Sequence, residues 1–210
     1  MASTADVSEL SLLRLVSLKG RASFDILADS LSLPVDHVIA VYAPLLERGL
    51  CANMSNAVRL TPAGRDRMSL LLADERTQVD PAAMVALYED FCIFNAELKQ
   101  IMTAWQLRDD GERNEHNDGD YDRAVLQRLA DLHERVRPLL QRLARLSPRL
   151  GHYYARLAHA AQRVAAGEHS YLTKVIADSY HTVWFELHED LLSLAGLTRA
   201  SEARRSEHGA

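Results

Sequence analysis

Apolar side chains recur at helical spacing along most of the chain, and the pattern shortens to strand-like runs at one place only. ELSLLRLVSL carries Leu10, Leu13, Val16 and Leu18 and stops at Lys19-Gly20, a basic residue followed by glycine. FDILADSL follows Ser23, a capping residue, and predicts a second short helix. After the turn SLP comes PVDHVIAVYAPLLERG, with Val35, Val38, Ile39, Tyr42, Leu45 and Leu46 as its apolar stripe. That stripe leaves Asp36, His37, Ala40, Val41, Glu47 and Arg48 outward, and Pro44 should kink the second half. LCANMSNAVRL then reads as two short strands around Asn53, Met54, Ser55 and Asn56. A helix over LTPAGRDRMSLLLADER closes this part.

From Pro81 onward only helices are expected. PAAMVALYEDFCIFNAELKQIMTAWQ holds a stripe of Leu87, Phe91, Phe94, Leu98, Ile101 and Trp105. The polar segment LRDDGERNEHNDGDYD has no period and reads as a flexible loop. DRAVLQRLADLHERVRPLLQRLARL follows, with a kink expected at Pro138. PRLGHYYARLAHAAQRVAAG and YLTKVIADSYHTVWFELHEDLLSLAG complete the helices, the latter as one long element. Thr61-Pro62, Asp80-Pro81 and Ser147-Pro148 each set a capping oxygen before a proline that loses no needed donor, so helices should start near 62, 81 and 148. The predicted fold is mainly α. A winged helix-turn-helix with a small β-hairpin covers 1–78, an all-α bundle for dimerisation and ligand sensing covers 79–200, and 201–210 is a frayed tail.

Composition leaves this picture standing. Apolar residues at 48% and charged residues at 25% of 210 are ordinary for a globular chain. No apolar run approaches the roughly 18 to 20 residues that span a bilayer, and MASTADVSEL lacks the pattern of a signal peptide. Cys51 and Cys92 form no metal-type pair and read as reduced thiols of a cytoplasmic protein. Charge does change the picture. The chain carries −5, and residues 1–77 hold eight basic against nine acidic side chains. A nucleic-acid binder normally gathers a basic surplus to displace counterions from phosphates.

The order helix, helix, turn, helix, hairpin, helix over residues 9–76, with Leu60, Thr61, Pro62, Ala63, Gly64 and Arg65 after the hairpin, resembles the winged domains of MarR-like and PadR-like bacterial regulators. The resemblance implies a homodimer that binds DNA. Base edges are read by donors and acceptors in the groove. On the third helix only His37 offers one, while Asn53, Ser55, Asn56 and Arg59 lie in the wing and Lys19, Arg21 and Ser23 could reach phosphates. A small-molecule effector site is expected in the helical part. There Tyr88, Asn95 and Lys99 run beside the stripe that ends at Trp105, and Tyr180, His181, Trp184 and His188 share the last helix. The competing reading of these residues is plain core packing.

Asp178, His181 and His188 fall on one face of that helix, but the strict i, i+4 zinc pair is missing. The acidic run Asp109 to Asp120 lacks the spaced ligands of a calcium loop. No metal or cofactor is assigned, and no nucleophile elbow, phosphate loop or HExxH points to an enzyme. SLKGRAS, LTPAGRDR, FNAELKQIMTAWQ and DSYHTVWFELHEDLL are also similar to helical segments attached to actinobacterial pyruvate phosphate dikinase-like proteins. That similarity implies a stand-alone regulatory or docking module without DNA, linked to phosphoenolpyruvate-utilising enzymes. The two readings, DNA-binding regulator and docking module, are what these two resemblances imply.

Overall fold

A computed structural model describes residues 7–108, 110–174 and 178–198. The described residues form helices joined by a small antiparallel sheet, in two compact units: Met1–Val79 with Leu192–Ala210, and Asp80–Leu191. The last described turn thus groups with the N-terminal unit, although the sequence pattern assigns it to the helical part. The expected tail over 201–210 lies outside the described residues. Among them no single helix is long and apolar enough to cross a membrane.

The first unit runs α1 (Glu9–Lys19), β1 (Ala22–Ser23), α2 (Phe24–Leu31), α3 (Val35–Glu47), β2 (Cys51–Asn53), β3 (Ala57–Leu60) and α4 (Pro62–Gln78). Capping residues set the starts: Ser8 accepts from the Ser11 amide, Ser23 from Ile26 and Thr61 from Gly64. α1 ends at Gly20, whose φ of 70° suits glycine. The hairpin expected around Asn53–Asn56 is present, and β1 adds a third strand, giving the order β1-β3-β2. Two residues, Ala22 and Ser23, pair with Val58 and Ala57, a run too short to show a period in sequence.

The core of this unit gathers Leu13, Val16, Leu27, Val38, Tyr42 and Val58, all with no accessible surface. α1 buries more than its predicted stripe, because Leu12 and Leu15 also face apolar neighbours. On α3 the expected stripe is wrong at two positions. Val35 is 38% exposed and Ile39 47%, while Val41 packs against the core. The helix turns its face about Val38, Tyr42 and Leu45 inward, and that face is only wide enough for those three plus their flanks. α3 also continues through Pro44.

The second unit contains α5 (Pro81–Gln106), α6 (Gly119–Leu146), a 3₁₀ turn (Pro148–Gly151), α7 (His152–Ala165), α8 (Ser170–Thr173) and α9 (Tyr180–Leu194), whose residues from Leu192 count with the first unit. Leu87, Phe91, Leu98, Ile101 and Trp105 of α5 are buried as the stripe predicts, and Phe94 is half-buried. Three expectations fail here. The helix expected at 148 begins at 152, because Ser147 supplies no side-chain cap and the chain makes a 3₁₀ turn first. The single long final helix is two, and Ser179 starts the second by accepting from the Thr182 amide. The polar loop after α5 is built rather than loose. Leu107 pairs with Arg113, and buried Asn114 donates to the Trp105 carbonyl and to Asp122. α6 runs unbroken past Pro138.

Candidate functional site

Of the residues expected to touch DNA, His37, Arg21, Asn53, Ser55, Asn56 and Arg59 are exposed, and Lys19 and Ser23 are half-buried. The hairpin and β1 bring most of them near one another. Ser23 pairs with Ala57, Asn53 with Val58 and Arg59 with Ala52, while Arg21 donates to the Met54 carbonyl at 3.4 Å. Ser55, with a φ of 64°, makes the tip of the turn. Ser23 also serves as the α2 cap.

The charge around α2 and α3 is the feature that the first count overlooked. Between Ala22 and Glu47 there is no lysine or arginine, while Asp25, Asp29, Asp36 and Glu47 carry four carboxylates. All four are exposed, as are Val35 and Ile39 of α3. Four arginines of this unit are engaged elsewhere. Arg48 and Arg67 both donate to Glu9 at 2.7 Å, and these hydrogen bonds hold the Glu9 carboxyl below its ordinary range. Arg14 and Arg76 donate to the hydroxyl and carbonyl of Ser193. A count over α2 and α3 alone, instead of over residues 1–77, would have found this asymmetry.

In the helical unit, six of the eight residues expected to line an effector pocket are core. Tyr88, Asn95, Trp105, Tyr180, Trp184 and His188 are buried, and Lys99 and His181 are exposed. Their polar atoms satisfy one another: Trp184 donates its indole N–H to Asn95 at 3.1 Å, and Tyr88 meets His188 at 3.3 Å. Phe91 stacks on Trp184 with ring centroids 4.9 Å apart. Polar groups so paired, with apolar rings between them, are a closed packing arrangement. The Asp178, His181 and His188 grouping also comes apart, because Asp178 precedes α9. No group of three or more metal-ligating side chains occurs among the described residues.

Asp178 belongs instead to a buried charge network that no motif announced. Arg156 of α7 donates to Asp178 at 2.7 and 2.9 Å and to Glu186 at 2.6 Å. One helical turn away, Arg149 and the Tyr153 hydroxyl both donate to Asp190, at 2.8 and 2.6 Å. His152 lies against Tyr153 with ring centroids 4.1 Å apart and donates to the Arg149 carbonyl at 2.7 Å.

Burial holds the His152 imidazole down at about 4, and burial lowers His133 and His181 in the same direction. These rings stay neutral in the folded protein at a pH where the unfolded chain takes up protons. Their effect on stability is therefore nil above about pH 6.5 and grows as the pH falls from there towards 4. With each pKa unit worth about 1.4 kcal/mol, and with some surface left on His152, this residue alone should cost on the order of 2 kcal/mol by pH 4. Urea midpoints of the protein and of His152→Leu, compared at pH 7 and pH 5, check this. The variant should lose less stability on acidification, and equal losses would refute the assignment.

No family model, curated protein or solved structure matches this chain.

Proposed function

We propose that residues 9–78 are a winged-helix module that docks a protein partner through α3, as part of a regulatory or accessory protein. The observation that carries this reading is that α2 and α3 hold no lysine or arginine, while Asp25, Asp29, Asp36 and Glu47 and the apolar Val35 and Ile39 are all exposed on them. Such a surface repels a phosphate backbone and suits an apolar hollow rimmed by basic groups. The element order and the β1-β3-β2 sheet support the winged-helix assignment. The segments similar to those attached to pyruvate phosphate dikinase-like proteins favour a phosphoenolpyruvate-utilising enzyme as the partner.

A second reading is a homodimeric transcriptional regulator that binds DNA through the wing, with an effector site in the helical unit. Exposed Asn53, Ser55, Asn56, Arg59 and Arg21 favour it. Fluorescence anisotropy with duplex DNA at low salt separates the two. Docking predicts no saturable binding at micromolar protein and photocrosslinks from position 39 to a protein in cells. Saturable DNA binding abolished by Arg59→Ala would overturn docking in favour of the second reading.

A further inference from the structure

We propose that the groove between α6 and α7 binds a small, flat, uncharged molecule that hydrogen-bonds at its edges. The cavity holds about 560 Å³, within the roughly 300–1,000 Å³ of small-molecule sites. Its walls are apolar and low: Leu126 and Leu129 come from α6, and Ala158, Ala161 and Ala165 from α7. Short alanine side chains leave width for a ring system and expose no polar group to its faces.

The rim selects against charge. Arg123 is already paired with Asp120 at 2.7 Å, Glu134 with Arg137 at 3.4 Å, and Gln127 donates to Asp131 at 2.9 Å. The Tyr154 hydroxyl, the Gln162 amide and the His169 ring line the cavity and have no hydrogen-bond partner among the described residues. His133 engages the Tyr180 hydroxyl through Nδ1 alone, which leaves Nε2 available. A carboxylate entering here would stand beside Glu134 and compete with Asp120 for Arg123, whereas a phenol or amide would find neutral partners.

Three probes sharing one ring system test this on the full chain at pH 7: 2-naphthol, naphthalene and 2-naphthoate. Calorimetry should rank 2-naphthol at least about tenfold tighter than either of the others. Backbone amide shifts should centre on Ala161 and His169. Filling the groove by Ala161→Leu, or by Ala165→Leu should the first variant melt early, should weaken 2-naphthol by about tenfold or more at an unchanged melting temperature. No binding of 2-naphthol, equal binding of 2-naphthoate, or unchanged binding to a folded filled-groove variant would each overturn the proposal.

Discussion

Gly64→Ala is expected to destabilise the first unit severely. A Cβ built on Gly64 would stand 1.9 Å from the Leu50 carbonyl oxygen and 2.9 Å from its carbon, both backbone atoms. The strand cannot swing away, because Thr61 ties the same place from two sides. Its amide donates to the Leu50 carbonyl at 3.1 Å, and its hydroxyl donates to the Gly49 carbonyl at 2.7 Å while accepting from the Gly64 amide at 3.0 Å. Relieving the clash means breaking the α4 cap or the start of β2. Either route should cost roughly 3 kcal/mol or more, a large share of the 5–15 kcal/mol that holds a typical domain. Gly20→Ala is the control. It meets nothing within 4 Å and carries only the backbone penalty of its φ of 70° and ψ of −56°, roughly 1–3 kcal/mol. Hydrogen exchange at the β3 amides reads the difference. Equal losses in the two variants would show that the close approach at Leu50 does not govern folding.

The same residues explain what could be read without coordinates. The run Leu60 to Arg65 announced a helix start after a hairpin because a threonine cap and a proline are local signals, and they work locally. The demand for glycine at 64 was invisible, since it arises from a carbonyl fourteen residues earlier that the hairpin folds back. α3 shows the complementary failure. Its period correctly gave a helix with Val38, Tyr42 and Leu45 inside, yet Val35 and Ile39 satisfy the same spacing and point out. Hydrophobicity marks what can be buried, and only the packing of α2 and β2 against α3 decides which side is. The residues expected at an effector site show a related limit: Asn95 and His188 border an apolar stripe as pocket donors would, and the sequence does not reveal that Trp184 and Tyr88 are their hydrogen-bond partners. The break between α8 and α9 was hidden because the segment's helical pattern gave no stop signal. The pairing of Asp178 and Glu186 with one arginine was equally hidden.

That pairing makes Arg156→Met the second variant of large effect. The guanidinium is almost wholly enclosed and holds Asp178 and Glu186 together, and the charge of these two carboxylates keeps it protonated against the cost of burial. Methionine matches much of the volume but leaves the two acids without the cation that joins them, which costs about 3–5 kcal/mol when one partner of a buried pair is removed. Arg156→Lys should recover only part, because a single ammonium cannot reproduce the two-pronged bond to Asp178 and still reach Glu186. The decisive comparison is the triple variant Arg156→Met, Asp178→Asn, Glu186→Met. Removing the charges with the cation should restore most of the loss, since a buried ionic group replaced whole by apolar or neutral groups is often no less stable. Fluorescence of Trp184, which sits on the same helix as Glu186, follows the urea transition. A triple variant as weak as Arg156→Met alone would mean that the side-chain packing of Arg156, rather than its charge, holds α7 to α9.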